Sequence, residues 1–448
     1  MSEHVNRQQI SYYEQMAEDL IHKAKEQGAS QVEFSLSVQK GLDVHVRKFD
    51  VETLEYVNSQ GLGLTVYYGK RKGYANTSDM TKEAAFQTLE KACHIAKYTQ
   101  EDDCSGLAEL SLMAYDYPSL ELYYPWGVDA ETAIQMAIEC EREAMATDKR
   151  LTNSEGVNVS THESFLLYAN SHSFLGRYFT SSSSMNCCLI AGKEHMQRSY
   201  EYTVAVDAKD LWDPSRLAQQ AAKKTLARLG ARSIPSCQVP VLFSKEVAPG
   251  LLKQAMVALS GGHQYRRSSF LLESVGQSVF PSFVTIYEDP FVPKGLASTP
   301  FDAEGVRVKA RCVVDKGVIQ GYFLNSYSAR KLGLPDTGHA GGMHNLFVSH
   351  SDKTFEELLK IMDRGLLVTE LMGQGVNLVT GDYSRGASGF WVEHGEIQYP
   401  VEEITIAGNL KDMYQQILYI GSDVETRSSL QTGSILIERM SVAGHVKN

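Results

Sequence analysis

TELMGQGVNLVTGDYSRGASGFWVEHGEIQYPVEEITIAGNLKDM, residues 369–413, alternates short β-type runs with glycines, and its reading sets the architecture of the last third of the chain. Residues 389–392 and 404–407 have the composition of strands. Gly381, Gly386, Gly389 and Gly395 recur every few residues, which calls for tight turns or for backbone lying against a close neighbour. Working outward, 241–243, 284–287, 306–314 and 318–324 read as further strands, and 246–259, 355–362 and 411–417 as helices. The expectation is an α+β domain built on a large, mainly antiparallel sheet.

The first half follows another pattern. Residues 8–27 place Ile10, Met16, Leu20, Ile21 and Ala24 at helical spacing, and Gly28 stops the run. Four strand-like alternations follow, at 32–36, 44–46, 54–56 and 62–66, with Gly61, Gly69 and Gly73 separating or ending them. Residues 81–98 form a second helix, with Thr81 as N-cap and Glu83 in the first turn. The order then recurs: a helix at 129–147, four strand-like runs within 157–206, and a helix at 214–229 opened by Pro214. We read a duplicated helix, four-strand, helix unit. It occupies residues 1–230, and a linker at 230–240 (GARSIPSCQVP) leads to a sheet-rich domain at 240–448.

The net charge of −11 argues against generic nucleic-acid binding, which needs a basic footprint. Seven scattered cysteines without a CxxC pair read as reduced thiols. The first residues lack a signal-peptide pattern, and no run approaches the roughly 18 apolar residues of a membrane span. A soluble cytoplasmic protein with no membrane partner is expected.

Residues 369–413, together with TGHAGGMHN (337–345) and GLASTPFDAEGVR (295–307), resemble the TldD/PmbA family of bacterial peptidases, and more closely its PmbA (TldE) branch. The likeness runs over nearly the whole chain in several long ungapped strings. It implies a cytosolic peptidase system in which TldD-type and PmbA-type chains associate, so a TldD-like subunit or a second copy is the expected partner. Small unfolded or peptide substrates are implied, including antibiotic-peptide precursors and antitoxin-like proteins. The resemblance also brings the label modulator of DNA gyrase, which the acidic composition does not support. The density of Gly, Tyr and Trp in the last third suggests that the C-terminal domain carries the subunit interface.

In the TldD branch the resemblance implies an HExxxH helix and a downstream Cys as zinc ligands. The matching positions here are Lys253, Gln254, Ala258 and Thr432. A protonated lysine cannot ligate zinc, alanine offers no donor, and the glutamate that would act as base is a glutamine. No cofactor is therefore expected in this chain, and zinc is expected in a TldD-like partner. Two other constellations could carry chemistry. His339 and His344 are either ligands or, more commonly for such a spacing, hydrogen-bonding groups. Ser328 and Lys331 match S-x-x-K, a pairing that also arises by chance at a helix start. For peptide capture the candidates are His263, Tyr265, Arg266 and Arg267, then His339 and His344, then Asp382 and Arg385; aromatic and arginine groups beside open backbone suit an extended chain. If they act together, the three segments should converge in space.

Overall fold

The computed structural model describes residues 5–444. Its first half is α1 (Arg7–Glu26), β1 (Gln31–Arg47), β2 (Asp50–Tyr68), β3 (Arg71–Thr77) and α2 (Lys82–Tyr98), then α3 (Ala130–Ala146), β4 (Leu151–Asn170), β5 (Phe174–Ala191), β6 (Gln197–Ala205) and α4 (Pro214–Ala227). The helix–strands–helix unit is thus present twice, with three strands in each rather than four. Gly61 does not turn the chain; it sits inside β2 opposite Ser37, so the expected strands at 54–56 and 62–66 are one, just as 32–36 and 44–46 are one in β1, and β3 is a strand the sequence reading did not expect. The helices start where side chains cap them: Asn6, Thr81, Asp129 and Asp213 accept from the first-turn amides.

The six strands form one antiparallel sheet in the order β3-β2-β1-β4-β5-β6, symmetric about the β1–β4 pair. One face is apolar. Val32, Phe34, Leu36 and Leu64 pack under α1 and α2, and Val44, Val157, Cys187 and Leu189 pack under the alanine-lined faces of α3 and α4. The opposite face carries the alternate residues, including Ser35, Ser37, Asp43 and Ser182, and is left open by the helices.

The second half comprises β7 (Cys237–Phe243), α5 (Ala248–Ala258), α6 (Gly261–Tyr265), β8 (Ile286–Asp289), β9 (Arg311–Asp315), β10 (Val318–Ile319), α7 (Ser326–Leu332), β11 (Asn345–Val348), α8 (Phe355–Met362), β12 (Gly365–Met372), β13 (Asp382–Glu393), β14 (Glu396–Asn409), α9 (Leu410–Gln415), β15 (Ile417–Ile420), β16 (Leu430–Gln431) and β17 (Ile435–Gly444). β14-β13-β12-β7-β17 closes on itself through a β14–β17 pairing. Alternation on β7 shows how it is filled: Val241 and Phe243 join the cluster around α5, while Leu242 packs on α8. The expected strands at 306–314 and 318–324 are regular only over β9 and β10. Their flanks instead bond to loops, as when Arg307 N donates to Leu112 O and Phe323 N to Leu259 O.

Both glycine roles expected in 369–413 occur. Gly381 and Gly395 have φ of +83° and +71° and turn the chain. Gly389 lies within β13, where a Cβ would stand 1.8 Å from Leu367 O. Trp391, Tyr383 and Tyr414, part of the aromatic density that suggested an interface, are buried in this domain's own core.

Candidate functional site

The open face of the first sheet meets the second half of the chain at a cleft of about 700 Å³. Its floor is Ser35 and Ser37 of β1, Gly61 and Gly63 of β2, and Tyr74 and Asn76 of β3; its roof is the 297–303 segment and the 340–344 loop. Small residues on adjacent strands let a ligand approach the sheet backbone closely. The roof is anchored against the first sheet by Phe301, which packs edge-on to Phe174 at 5.3 Å, over Gly176 where a Cβ would be 2.5 Å from the Phe301 ring. Arg330 of α7 reinforces the join, donating to the carbonyls of Cys104 and Gly106 at 3.1 and 2.9 Å.

Two separate strings of sequence are tied together to make that roof. Asn345 accepts from Ala297 N at 2.9 Å and donates to Asp289 O and Ser298 Oγ. Asp302 accepts from Ala340, Glu304 and Val306 N–H groups at 2.8–3.0 Å, pinning the glycine loop. Burial and the nearby Glu304 carboxylate push the Asp302 carboxyl up to about 8, against those three N–H donors, which favour its ionised form. Gly341 and Gly342, with φ of +103° and +127°, leave open backbone facing the cleft.

Behind the loop lies a fully buried carboxylate that sequence reading passed over. Glu288 accepts from His339 Nε2 and His344 Nδ1 at 3.0 Å, from His344 N at 2.9 Å and from Arg311 Nε at 2.8 Å. Burial alone would raise the Glu288 carboxyl. The two histidines and the Arg311 charge more than offset this and hold it well below the usual range. Burial likewise lowers His339, with Glu288 pulling the other way. Among the described residues, Glu288, His339 and His344 are the group whose donor atoms, all within 4.8 Å of one another, could hold a metal. The cluster already has its cation: Arg311 binds Glu288 and lies 3.3 Å from His339 Nε2. The arrangement reads as a buried ion network that sets the glycine loop. The signal for Glu288 was available, since it occupies an inward position on β8 between Tyr287 and Asp289.

The remaining candidates fall elsewhere. Only the 337–345 loop lines the cleft; 263–267 and 382–385 do not join it. The chain that follows the first of these segments meets the chain that precedes the second, where Phe270 N donates to Leu378 O. His263 Nδ1 is engaged by Ser268, Arg266 donates to the Tyr265 hydroxyl, and Arg267 is an exposed partner of Glu273. Asp382 accepts from Thr380 and Asn409. Arg385 has no ion pair among the described residues and its buried Nε lacks a partner, while its guanidinium lies beside the buried Tyr383 hydroxyl. Ser328 and Lys331 are not poised for catalysis. Ser328 Oγ caps α7 through Asn325, and Lys331 is drawn to Asp102 at 3.0 Å.

Three family models cover the chain: PmbA/TldA metallopeptidase domain 1 over residues 32–96, the central domain over 123–229 and the C-terminal domain over 236–444. Metalloprotease PmbA of Escherichia coli O157:H7 is 44% identical over 440 residues, 97% of this chain and 98% of that one. The chain belongs to the PmbA/TldD family. The Haemophilus influenzae homolog of metalloprotease PmbA is 45% identical over 98% of this chain and 96% of its own. Among solved structures, a candidate modulator of DNA gyrase from Bacteroides thetaiotaomicron superposes with a TM-score of 0.91 at 25% identity, covering 98% of this chain and all of that one. TldE from Thermococcus kodakarensis shares the fold, with a TM-score of 0.83 at 20% identity over 96% of this chain and all of that one.

In this family member the positions matched to the zinc ligands do not fit the ion. Lys253 is exposed on α5, Gln254 turns back to Gly250 O at 3.3 Å, and Ala258 is wholly buried with no donor atom. Thr432 is buried, and its hydroxyl donates to Gly433 O. Neither the charge nor the donor set suits a tetrahedral zinc site. No helix among the described residues is long and apolar enough to cross a membrane.

Proposed function

We propose that this chain is the partner subunit of a cytoplasmic TldD/PmbA-type peptidase: it shapes the chamber that receives small unfolded or peptide substrates, while a TldD-like chain supplies zinc and the general base. The observation that carries this reading is the pairing of an unsuitable donor set at Lys253, Gln254, Ala258 and Thr432 with a well-formed cleft. An extended peptide needs backbone partners and side-chain pockets along its length. The cleft supplies Ser35, Ser37 and Asn76 on a small-residue floor, and open glycine backbone on its roof. Antibiotic-peptide precursors and antitoxin-like proteins suit such a site because they present unfolded chain. Arg385, a guanidinium without an internal carboxylate, lies outside this cleft and is suited to gripping a substrate carboxylate only where the assembled chamber extends to it. His263, Tyr265, Arg266 and Arg267 contribute only where the assembled chamber extends beyond this cleft.

The reading is tested by mixing the purified chain with a TldD-type partner and following peptide cleavage. Gly61→Phe places a ring in the cleft at a position whose nearest neighbour to a Cβ is Ser37 Oγ at 3.7 Å. Cleavage should fall at unchanged zinc content and unchanged assembly. Undiminished cleavage would remove the cleft from the account.

A further inference from the structure

Two histidines share the Glu288 carboxylate, and only one of them is closed off. His339 spends both ring nitrogens inside the protein, Nε2 on Glu288 and Nδ1 on the Thr337 hydroxyl at 2.9 Å. His344 spends one. Its Nδ1 meets Glu288 Oε1 at 3.0 Å, and its Nε2 has no partner among the described residues. Nor is that atom enclosed, as the unpartnered Nδ1 atoms of His162 and His172 are, so solvent reaches it although the residue as a whole is 5% exposed. The space it opens on is the cleft, which His344 lines.

Chemistry fixes what this open nitrogen offers. Glu288 also accepts from Arg311 Nε and from His344 N, so it is an ionised, acceptor-only carboxylate, and Nδ1 of His344 carries the proton between them. In the neutral ring Nε2 then presents a lone pair to the cleft. The same loop presents the complement three residues earlier. Ala340 N and Gly342 N are taken by Asp302 and by His339 O, whereas Gly341 N is exposed and has no partner among the described residues. An acceptor and a donor this close on one loop match the N–H and C=O of an extended chain. The rest of the lining adds no charge to compete. Although 22% of the chain is charged, Asp302 is the one carboxylate among the described lining residues, and it is already turned to three N–H groups; no lysine or arginine is among them.

We propose that His344 is the residue that anchors a peptide in this cleft, its Nε2 accepting from a backbone N–H of the bound chain while Gly341 N donates to a carbonyl. The proposal rests on the peptide-cleft reading above and adds to it the atom that holds the peptide. Asn and Gln at position 344 separate this role from the support that His344 gives to Glu288. The asparagine amide nitrogen stands where Nδ1 stands and keeps the bond to Glu288, whereas the glutamine amide reaches the place of Nε2 and loses that bond.

The full chain is assembled with a TldD-type partner, and a fluorogenic peptide of Ala, Ser and Asn is the probe. His344→Asn should keep the thermal midpoint and raise KM by about three- to tenfold at unchanged kcat, the effect of losing one neutral hydrogen bond made equally before and during reaction. His344→Gln should lower the midpoint and leave KM closer to wild type. The same peptide is then made with one backbone amide at a time replaced by an ester, which deletes the N–H. One position should raise KM for wild type and raise it no further for His344→Asn. An unchanged KM in folded His344→Asn, or an equal response of wild type and His344→Asn to every ester, overturns the proposal. Gly61→Phe keeps the two readings apart. If it blocks cleavage while His344→Asn has no effect, the cleft stands and the anchor falls; if neither has an effect, the cleft reading falls and the anchor with it.

Discussion

Glu288→Gln tests the ion network behind the glycine loop. The carboxylate is fully buried and accepts from two histidines, a backbone N–H and Arg311. An amide at the same place keeps one acceptor oxygen but turns an NH₂ toward donors, and it leaves the Arg311 guanidinium, whose side chain is 14% exposed, without its counter-ion. Removing one partner of a buried pair costs about 3–5 kcal/mol. For a unit of roughly two hundred residues this lowers the midpoint by about 6–20 °C. Calorimetry of the variant at neutral pH measures it. The pH dependence fixes the sign. A carboxyl held low in the folded state contributes stability that is present above its unfolded value of about 4.3 and is lost as pH falls. His339, lowered by burial, adds a loss in the same direction below about 6.5. Wild type should therefore lose stability on acidification more steeply than Glu288→Gln, and a chelator should leave both midpoints unchanged. A Glu288→Gln midpoint within 2 °C of wild type, on the order of 1 kcal/mol or less, would refute the network.

Gly389→Ala should destabilise the closed sheet by roughly 1–3 kcal/mol, because the added Cβ meets Leu367 O; the denaturant midpoint reports it, and an unchanged value would contradict the packing described. Arg385→Lys should reduce peptide cleavage by the assembled complex while shifting stability by less than about 0.5 kcal/mol, since no internal ion pair is lost. A lower thermal midpoint with undiminished cleavage would take Arg385 off the substrate path. Lys331→Ala should leave cleavage by the complex intact, as its amine is committed to Asp102; abolished turnover in a folded variant would revive the S-x-x-K reading.

The elements whose signal is local were legible in the sequence. Helices α1 to α4 show periodic apolar faces and capping side chains, and the glycines of 369–413 marked both turns and a close backbone approach. What failed was punctuation: Gly61 reads as a break, yet in an extended strand glycine need not turn, and β2 runs through it. The site divides the same way. His339 and His344 stood out by their spacing in a glycine loop, but their common partner Glu288 is 51 residues before the first of them, and only β8–β11 pairing brings them together. The cleft floor was invisible because Ser35, Gly61 and Tyr74 are ordinary strand residues, made into a site by the roof that closes over them. Arg385 and Asp382, adjacent to the most informative motif, proved to lie away from that cleft.

The central claim is that this chain shapes a peptide site without carrying the catalytic metal, and metal analysis of the purified chain tests it most directly. The account predicts no stoichiometric zinc and no chelator-sensitive peptidase activity for the chain alone, with both appearing when a TldD-type chain is added. One equivalent of tightly held zinc in the chain by itself, with cleavage abolished by chelation and restored by zinc, would contradict it.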